Sequence, residues 1–542
     1  MIARSGAFAH LVFRLSLAGL VTVSVPLTAH ADGKVTQFKQ AIAEAASADD
    51  GLATFYRDRD YAPLWTGEGA TERRTAFLTA LSMAGDHGLP RAKYDIEAVK
   101  AMFTDVRSQR DLGALDVKLT ALLLDYARDI QTGILTPKEI DAGFVMTVPV
   151  RDGAKTLLDF AAASDPDAFL RALQPDSPEY ARLMRAKLSL ETDLAAGGWG
   201  ADVANGGLEP GATGENVLAL RNRLIAMGYL SRTPTAVYDE AITRAVQAFQ
   251  ADNGITPDGV AGESTIAELN RPIEDRLKAI VVAMERERWV NKPRGDRYIW
   301  VNLTDFTAQI RDFDHVTFET RAVIGANQGD RRSPEFDDLM EHMVVNPSWS
   351  VPRSITVKEY LPMLQRNPNA AGHLRITDRH GRVVSRDAVD FTAYNSRNFP
   401  FAMHQPPSDG NALGKVKFMF PNQWNIYLHD TPAKDLFGRE VRAFSHGCIR
   451  LASPFDFAYT LLSRQTDDPE GFFASQLETR RETTVPLDQP VPVFITYRTA
   501  FTDAKGHLQF RRDIYGRDAA IWAALEAAGV AVAGQTTPRL EG

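Results

Sequence analysis

Residues 444–451 read FSHGCIRL, and they contain Cys448, the only cysteine in a chain of 542 residues. A thiol flanked by histidine, glycine and arginine has electropositive, conformationally permissive surroundings, which lower a thiol pKa and expose the thiolate. Gly447 lets another stretch of backbone approach closely and orients amide N–H groups. A helical run from Phe455 to Ser463 follows, so we expect Cys448 at a strand-to-helix turn. A lone cysteine is often only a core residue, but this context favours a nucleophile.

A histidine upstream supplies a base for this thiol. Residues 426–432 read IYLHDTP, which places His429 at the end of a predicted strand. A thiol and an imidazole brought together from neighbouring loops form a nucleophile–base pair. Zinc binding is the alternative chemistry, but Cys448 with His429 and His446 lacks a further protein ligand, and the sequence has no C-x-x-C or H-E-x-x-H spacing. The pattern therefore favours covalent catalysis over a metal site.

The N-terminus has the features of an export signal. Arg4 and Arg14 precede the apolar run Leu15–Leu27, and residues 29–31 (AHA) supply a small-x-small cleavage pattern. We expect residues 1–31 to be cleaved and the protein to be periplasmic, with an uncleaved inner-membrane anchor as the alternative. The apolar run is shorter than the roughly 20 residues of a spanning helix. In an oxidising compartment, a cysteine without an intrachain partner is a candidate reactive thiol.

The composition indicates a globular protein of several domains. Apolar residues make up 44% and charged residues 24% of the chain, and a chain of this length predicts three or four hydrophobic cores. The formal net charge is -8 and no basic stripe stands out. The sequence is therefore a poor candidate for binding nucleic acid or anionic lipid.

The apolar periodicity changes from helical to β along the chain. Residues 32–205 show helical spacing and predict a helical scaffold domain. After a Gly-rich linker, residues 211–271 predict a small module of three helices. Residues 295–510 contain alternating β-branched and aromatic residues that predict a mainly-β catalytic domain. The expected fold class is therefore multidomain α+β.

Two further segments complete this division of the chain. The β region is interrupted at about 347–411 by a stretch rich in Pro, Asn and Arg, which is long enough to be a lid subdomain. Residues 511–542 contain an Ala-rich helix, 519–528, and a polar stretch. They are interpreted as a C-terminal tail.

At this point the sequence resembles a known enzyme family. His429, fifteen further residues and then Ser445-His446-Gly447-Cys448 resemble the signature of YkuD-type L,D-transpeptidases, His-x(14–17)-[Ser/Thr]-His-Gly-Cys. Residues 346–355 (NPSWSVPRSI) and 411–422 (NALGKVKFMFPN) are similar to the larger, YcbB-type members. Residues 211–271 resemble the peptidoglycan-binding type 1 domain.

The resemblance implies cysteine acyl transfer between peptidoglycan stem peptides, without a cofactor or metal. Cys448 is the nucleophile, His429 the acid–base, and the carbonyl of Asp430 holds the imidazole tautomer. Backbone N–H groups of Gly447 and Cys448 bind the oxyanion, and His446 shapes the loop or meets a substrate carboxylate. The residues expected to bind substrate are Arg450, Ser445, Trp349 and Asn411.

The resemblance leaves three functions open. A transpeptidase forms 3→3 crosslinks, a hydrolase of the same stems acts as carboxypeptidase or endopeptidase, and a wall-binding protein uses the helical module alone. Partner proteins of cell-wall synthesis are a further expectation, as is acylation of the thiol by carbapenems.

Overall fold

The computed structural model describes residues 36–503 and 505–533. The predicted signal sequence at residues 1–31 lies outside the described residues. Within those ranges, no helix combines the length and the apolar character needed to cross a bilayer.

A helical domain forms the first part of the described chain. One long helix lies at its centre and buries Leu119, Leu123 and Tyr126 at helical spacing. Ser108 caps the start of that helix and Gly133, at φ +93°, ends it. The helices are α1 Gln37–Ala46, α2 Asp50–Asp58, α3 Thr71–Ser82, α4 Ile96–Thr104, α5 Gln109–Thr132, α6 Pro137–Ile140, α7 Gly153–Ala162, α8 Pro166–Arg171 and α9 Pro178–Ala195.

A small module with its own core follows. Its helices are α10 Glu215–Ala226, α11 Glu240–Asp252 and α12 Glu263–Leu269. Its core begins at Val203, before the predicted boundary. Leu208 and Ala261 exchange two backbone hydrogen bonds of 3.0 and 2.9 Å. The prediction of a linker at the Gly-rich stretch is therefore wrong, because that stretch is hydrogen-bonded into the module.

One helix joins the helical domain to the β domain. It is α13, Ile273–Trp289, and its second half, from Ile280 onward, is buried on all sides. Near its end, Arg286 pairs with Glu335 at 2.6 Å and with Asp518 at 2.7 Å. Such buried charges are tolerated because each is paired and hydrogen-bonded.

The second half of the chain contains a nine-stranded sheet. Its strands are β1 Arg297–Asn302, β2 Thr307–Asp312, β3 His315–Gly325, β4 Phe336–Val345, β8 Val416–Met419, β9 Leu428–His429, β10 Ala443–Ser445, β11 Ile449–Leu451 and β12 Thr483–Thr496. They lie in the order β10-β3-β11-β9-β8-β4-β12-β1-β2. Because β2 also pairs with β3, the sheet closes on itself. Helices α16 Pro454–Leu462 and α17 Pro469–Glu478 pack against it.

The lid segment has a separate core. Its strands are β5 Trp349–Ser350, β6 Arg375–Thr377 and β7 Ala402–Gln405, and its helices are α14 Arg353–Ile355 and α15 Leu361–Arg366, with a π-helical turn at Thr356–Tyr360. Leu361, Leu364 and Phe391 are buried together in it. Trp349 pairs directly with Gln405, so the segment enters and leaves the domain at one place. The multidomain α+β fold class is confirmed.

The described part of the predicted tail, residues 511–533, is packed against the rest of the chain. After the hairpin β13 Ala500–Thr502 and β14 Leu508–Phe510, helix α18 spans Arg517–Ala527. Ile521 and Leu525 are fully buried beside α13. The prediction of a tail is wrong because this helix completes a hydrophobic core.

Candidate active site

The predicted nucleophile and base come from two adjacent strands, because His429 lies on β9 and Cys448 lies directly before β11. Strands β9 and β11 run parallel, with Arg450 opposite His429 and Ile449 opposite Leu428. Leu428 and Ile449 point into the domain core. Since side chains alternate along a strand, His429 and Arg450 lie on the other face. The charge of Arg450 acts on both His429 and Cys448, so the three side chains lie close together.

The position of Cys448 differs from the prediction of a strand-to-helix turn. Cys448 lies between strands β10 and β11, and helix α16 begins only at Pro454. The thiol donates to the carbonyl oxygen of Asn425 at 3.4 Å. The prediction is wrong because Ile449 and Leu451 supply core side chains for one more short strand before the helix.

His429 is held as a neutral base. Its Nδ1–H donates to the carbonyl oxygen of Asp430 at 2.5 Å, which leaves Nε2 as the acceptor. Burial, with a smaller contribution from the nearby cation of Arg450, lowers the pKa of His429 to about 3. The role predicted for the Asp430 carbonyl matches this hydrogen bond. The Asp430 carboxylate faces elsewhere, toward the Lys415 N–H and Lys434 Nζ.

The thiol of Cys448 is also neutral. The residue is half-buried, and nearby protein atoms partly desolvate its sulfur. Burial raises the pKa of this thiol to about 11, against the opposing effect of hydrogen bonds from Tyr427 and of the Arg450 cation. The expectation of a lowered thiol pKa is therefore wrong, because desolvation outweighs the positive neighbours. A neutral thiol beside a neutral imidazole requires proton transfer to accompany nucleophilic attack.

Ser445 organises the turn before the nucleophile. Gly447 has φ +112°, which favours glycine. Its N–H donates to Ser445 Oγ at 3.1 Å, and Ser445 Oγ donates to the Cys448 carbonyl at 2.5 Å. The Gly447 amide is thus not a free oxyanion donor, contrary to prediction, whereas the Cys448 N–H has no acceptor in the part of the chain that the structure describes. Ser445 is buried and shapes this turn instead of facing substrate.

Two cationic side chains flank the base. Arg450 on β11 and Lys417 on β8 both lie opposite His429 in the sheet register, and both are half-buried. Within the described ranges, Arg450 Nε has no hydrogen-bond partner. An unpaired cation beside the nucleophile suits a substrate carboxylate, which is the predicted role of Arg450. The sequence reasoning missed Lys417. The signal that could have found it was its position in a predicted strand shortly before the strand that carries His429.

Tyr427 is another residue that the sequence reasoning missed. It precedes His429 by two residues, its ring centroid is 5.7 Å from that of His429, and its hydroxyl lies near the Cys448 thiol and the Trp349 indole. Burial raises the pKa of Tyr427 well above its usual value, so it is a neutral phenol. The period of two along β9 was the signal that could have found it. Trp349, at the start of the lid, therefore lies beside Tyr427, and its contact with substrate stays a prediction.

His446 and Asn411 have other partners. His446 Nε2–H donates to Glu359 Oε1 of the lid at 2.5 Å. Asn411 is fully buried, and its side chain donates to Pro406 O at 3.0 Å and accepts from the Leu413 N–H at 2.8 Å. The prediction that Asn411 binds substrate is wrong, because its amide is used up in closing the turn that ends the lid.

Ser333 could not be found from the sequence. It is fully buried, lies 114 residues before Gly447 in the chain, and donates from Oγ to the Gly447 carbonyl at 2.6 Å. No motif surrounds it. Among the described residues, no group of three or more His, Cys, Asp or Glu side chains is arranged to hold a metal ion.

Comparisons with known proteins agree with this division of the chain. Residues 296–469 match the family described as L,D-transpeptidase catalytic domain (YkuD), residues 213–269 match "Putative peptidoglycan binding domain", and residues 50–186 match a scaffold domain. A Haemophilus influenzae protein named "Putative L,D-transpeptidase" is 32% identical over 239 residues, which cover 44% of this chain and 48% of that protein. The match thus spans about half the length of this curated relative.

Two solved structures align over about half of the chain. An L,D-transpeptidase from Xylanimonas cellulosilytica is 13% identical, with a TM-score of 0.17, and the alignment covers 55% of this chain and 98% of that chain. A fused Zn-dependent amidase/peptidase/peptidoglycan-binding domain-containing protein from Clostridium acetobutylicum is 12% identical, with a TM-score of 0.15 and coverage of 54% and 100%. TM-scores this low give no support to a fold assignment, which depends on the family matches and the site. Residues 296–469 form a YkuD-type L,D-transpeptidase catalytic domain, in a chain that also carries a scaffold domain and a peptidoglycan-binding type 1 domain.

Proposed function

We propose that this protein forms 3→3 crosslinks in peptidoglycan by cysteine acyl transfer from a tetrapeptide stem to the amine of a second stem. The observation that carries the proposal is the hydrogen bond from His429 Nδ1 to the Asp430 carbonyl. It fixes the tautomer whose Nε2 accepts a proton, close to the only thiol of the chain.

Acylation is the first half of the proposed reaction. As His429 Nε2 takes the thiol proton, Cys448 Sγ forms a bond to the carbonyl carbon of the third stem residue. The carbonyl oxygen becomes an oxyanion, for which the Cys448 N–H is the donor that remains unused. On collapse, the bond to the terminal D-alanine breaks, and His429 returns the proton to the leaving amine.

The second half resolves the thioester. The amine of an acceptor stem attacks the carbonyl carbon, a new amide bond forms, and the Cys448 sulfur leaves. The proton released by the amine passes to His429 and then to the departing sulfur. Water in place of the amine would give a tripeptide, so the product depends on which nucleophile reaches the thioester.

Three features support a peptidoglycan substrate. Arg450 offers an unpaired cation to a stem carboxylate. Trp349 lies beside Tyr427, whose hydroxyl is near the thiol, and the lid that begins there would restrict access of water when closed. Residues 213–269 of the helical module match a peptidoglycan-binding family. Asp252 of the module accepts from Gln509 Nε2 at 2.6 Å, so the module contacts the β13–β14 hairpin that follows the nine-stranded sheet.

The proposal includes a location and an inhibitor class. Residues 1–31 resemble an export signal, which fits a periplasmic enzyme acting on the wall, with an uncleaved anchor as the alternative. Carbapenems are proposed to acylate the same thiol. Partner proteins of wall synthesis are proposed without an assigned surface.

The test is mass spectrometry of the products that purified residues 32–542 form from disaccharide-tetrapeptide. Crosslinked dimers with wild-type protein, and none with Cys448→Ala, are the expected result. Tripeptide without dimers would replace the transpeptidase with the hydrolase. If both proteins leave the substrate unchanged but sediment equally with isolated walls, the wall-binding function is correct instead.

The hydrolase remains the second candidate because Cys448 and His429 serve either reaction. The half-buried thiol is the specific observation that favours it, since a partly exposed sulfur leaves an approach for water. Adding free acceptor stems separates the two functions, because only a transpeptidase shifts its products from tripeptide to dimer as the acceptor concentration rises.

A further inference from the structure

The lid contacts the nucleophile loop through one carboxylate. Glu359 lies in the π-helical turn of the lid, and its Oε1 accepts from His446 Nε2 at 2.5 Å and from Arg331 Nη2 at 2.6 Å. His446 precedes Cys448 by two residues. Arg331 also lies close to the nucleophile loop, because its own carbonyl oxygen would be 3.7 Å from a Cβ placed on Gly447. A single lid side chain therefore bridges two segments that border the nucleophile.

This contact is polar and partly open to solvent. The side chains of Glu359, His446 and Arg331 keep 34%, 32% and 35% of their surface exposed. Beside it, Lys358 pairs with Asp330 at 2.6 Å, and both of those side chains are about 60% exposed. Contacts of this kind form and break more readily than a packed apolar core.

The rest of the lid is built to move as a unit. Its buried residues form a separate core, distinct from that of the catalytic sheet. It is joined to the domain at adjacent strand ends, where Trp349 pairs with Gln405. A segment with its own core, joined to its domain where its two ends meet, is typical of hinged closure. The contact at Glu359, beside the more exposed pair of Lys358 and Asp330, then holds the lid against the nucleophile loop.

We propose that Glu359 is a positioning residue that docks the lid on the nucleophile loop and thereby controls access to Cys448. The carboxylate orients His446, joins it to Arg331, and keeps the lid closed over the thiol. No group in this contact exchanges a proton with substrate, so Glu359 acts through the lid and not in the chemistry. Its consequence for product choice rests on the proposed transpeptidase function, but its effect on thiol access does not.

The single cysteine makes access directly measurable. Alkylation of the full chain reports only on Cys448, with a small reagent, iodoacetamide, and a bulky one, a fluorescein maleimide. We expect Glu359→Gln to raise the rate with the maleimide about tenfold and the rate with iodoacetamide about twofold, because loss of two charge-assisted hydrogen bonds favours the open lid. Asp387→Asn is the matched control, since it removes one exposed lid carboxylate outside this contact. It should change neither rate.

A change in the electrostatics of the thiol must be separated from lid opening. Loss of a nearby anion shifts the pH midpoint of alkylation, whereas opening raises the rate at every pH and leaves the midpoint unchanged. The proposal would be overturned if Glu359→Gln raised the rates with both reagents equally, and if this increase disappeared when wild type and variant were compared at equal thiolate fraction.

A charge exchange provides the second test. Glu359→Arg and Arg331→Glu alone should each raise the maleimide rate, and the double variant should restore it to within about twofold of wild type, because one cross-lid pair is re-formed. A double variant as open as either single variant would also overturn the proposal. If the wild-type protein makes no crosslinks, the proposed transpeptidase function is wrong. The alkylation rates still show whether Glu359 docks the lid.

Discussion

The hydroxyl of Ser333 donates to the carbonyl of Gly447 at 2.6 Å, on the residue directly before the nucleophile. The same oxygen accepts from the Gly325 N–H at 3.0 Å. Tyr515 completes the arrangement, since its hydroxyl donates to the Gly325 carbonyl at 2.6 Å. Segments far apart in sequence, including the C-terminal one, therefore fix the backbone that carries Cys448.

Replacing Ser333 with alanine should slow acyl transfer more than it destabilises the fold. The change leaves the Gly447 carbonyl and the Gly325 N–H unsatisfied in a buried place, which costs about 1–3 kcal/mol of stability. We expect kcat to fall about tenfold with little change in KM, because the nucleophile loses its fixed orientation. Steady-state kinetics and urea unfolding measure the two effects. Unchanged kcat in a variant that is clearly destabilised would contradict the positioning role.

The pH dependence follows from the two neutral groups. With the His429 pKa at about 3 and the Cys448 pKa at about 11, both are neutral throughout the neutral range. Crosslinking rates should therefore be flat from about pH 5 to 9 and fall in acid as the imidazole protonates. Iodoacetamide alkylation should instead rise about tenfold per pH unit, because the thiolate fraction does so below the thiol pKa.

An alkylation rate that is already at its plateau by pH 7 would contradict this picture. It would mean that Cys448 and His429 exist as a thiolate–imidazolium pair. The Cys448→Ser variant, which has no thiol to alkylate, serves as the blank.

Removing the cation of Arg450 should affect both the binding of the donor stem and the acid limb, which is the fall of the crosslinking rate at low pH. In Arg450→Met, the pKa of His429 rises, since burial and then this cation hold it down, so the acid limb moves to higher pH. The KM for the donor stem should rise about tenfold through loss of a charge-assisted contact. A donor with its carboxylates converted to amides provides the control, because it should respond little to the substitution. Equal losses for both donors would rule out carboxylate binding.

Arg517 links the C-terminal helix to the site and should be needed for stability. It is buried, donates to the Ser333 carbonyl at 2.9 Å, and pairs with Glu335 at 3.1 Å. Arg517→Met leaves these groups short of a partner and should cost about 3 kcal/mol in urea unfolding. Arg512→Met is the control, because its pair with Glu440 is largely exposed and should contribute less than about 1 kcal/mol. Similar losses in both variants would contradict this account.

Much of the candidate site was predictable because its chemistry lies in contiguous motifs. Cys448 and His429 stand within short stretches whose residue types already indicate a nucleophile and a base. The role of the Asp430 carbonyl came only with the family resemblance. The helical and β regions followed from apolar periodicity, which reflects the burial of one face of each element. Domain order and fold class could therefore be inferred before any coordinates.

The remaining features depend on contacts between distant parts of the chain. Asn411 looked available for substrate, but the turn around it consumes its amide. Helix α18 looked like part of a tail, but its apolar face completes a core begun by α13. Local sequence does not reveal such partners, because a side chain's role is set by what tertiary packing places against it.

The sequence by itself determined which residues are the candidates for the reaction, since Cys448 is the only thiol and His429 stands at the signature distance. Tertiary structure alone decided their protonation states, the support from Ser333 and the docking of His446 on Glu359. The physical reason is desolvation and proximity. A pKa and a hydrogen bond depend on the atoms that surround a group in space, and those atoms come from segments that the chain order keeps far apart.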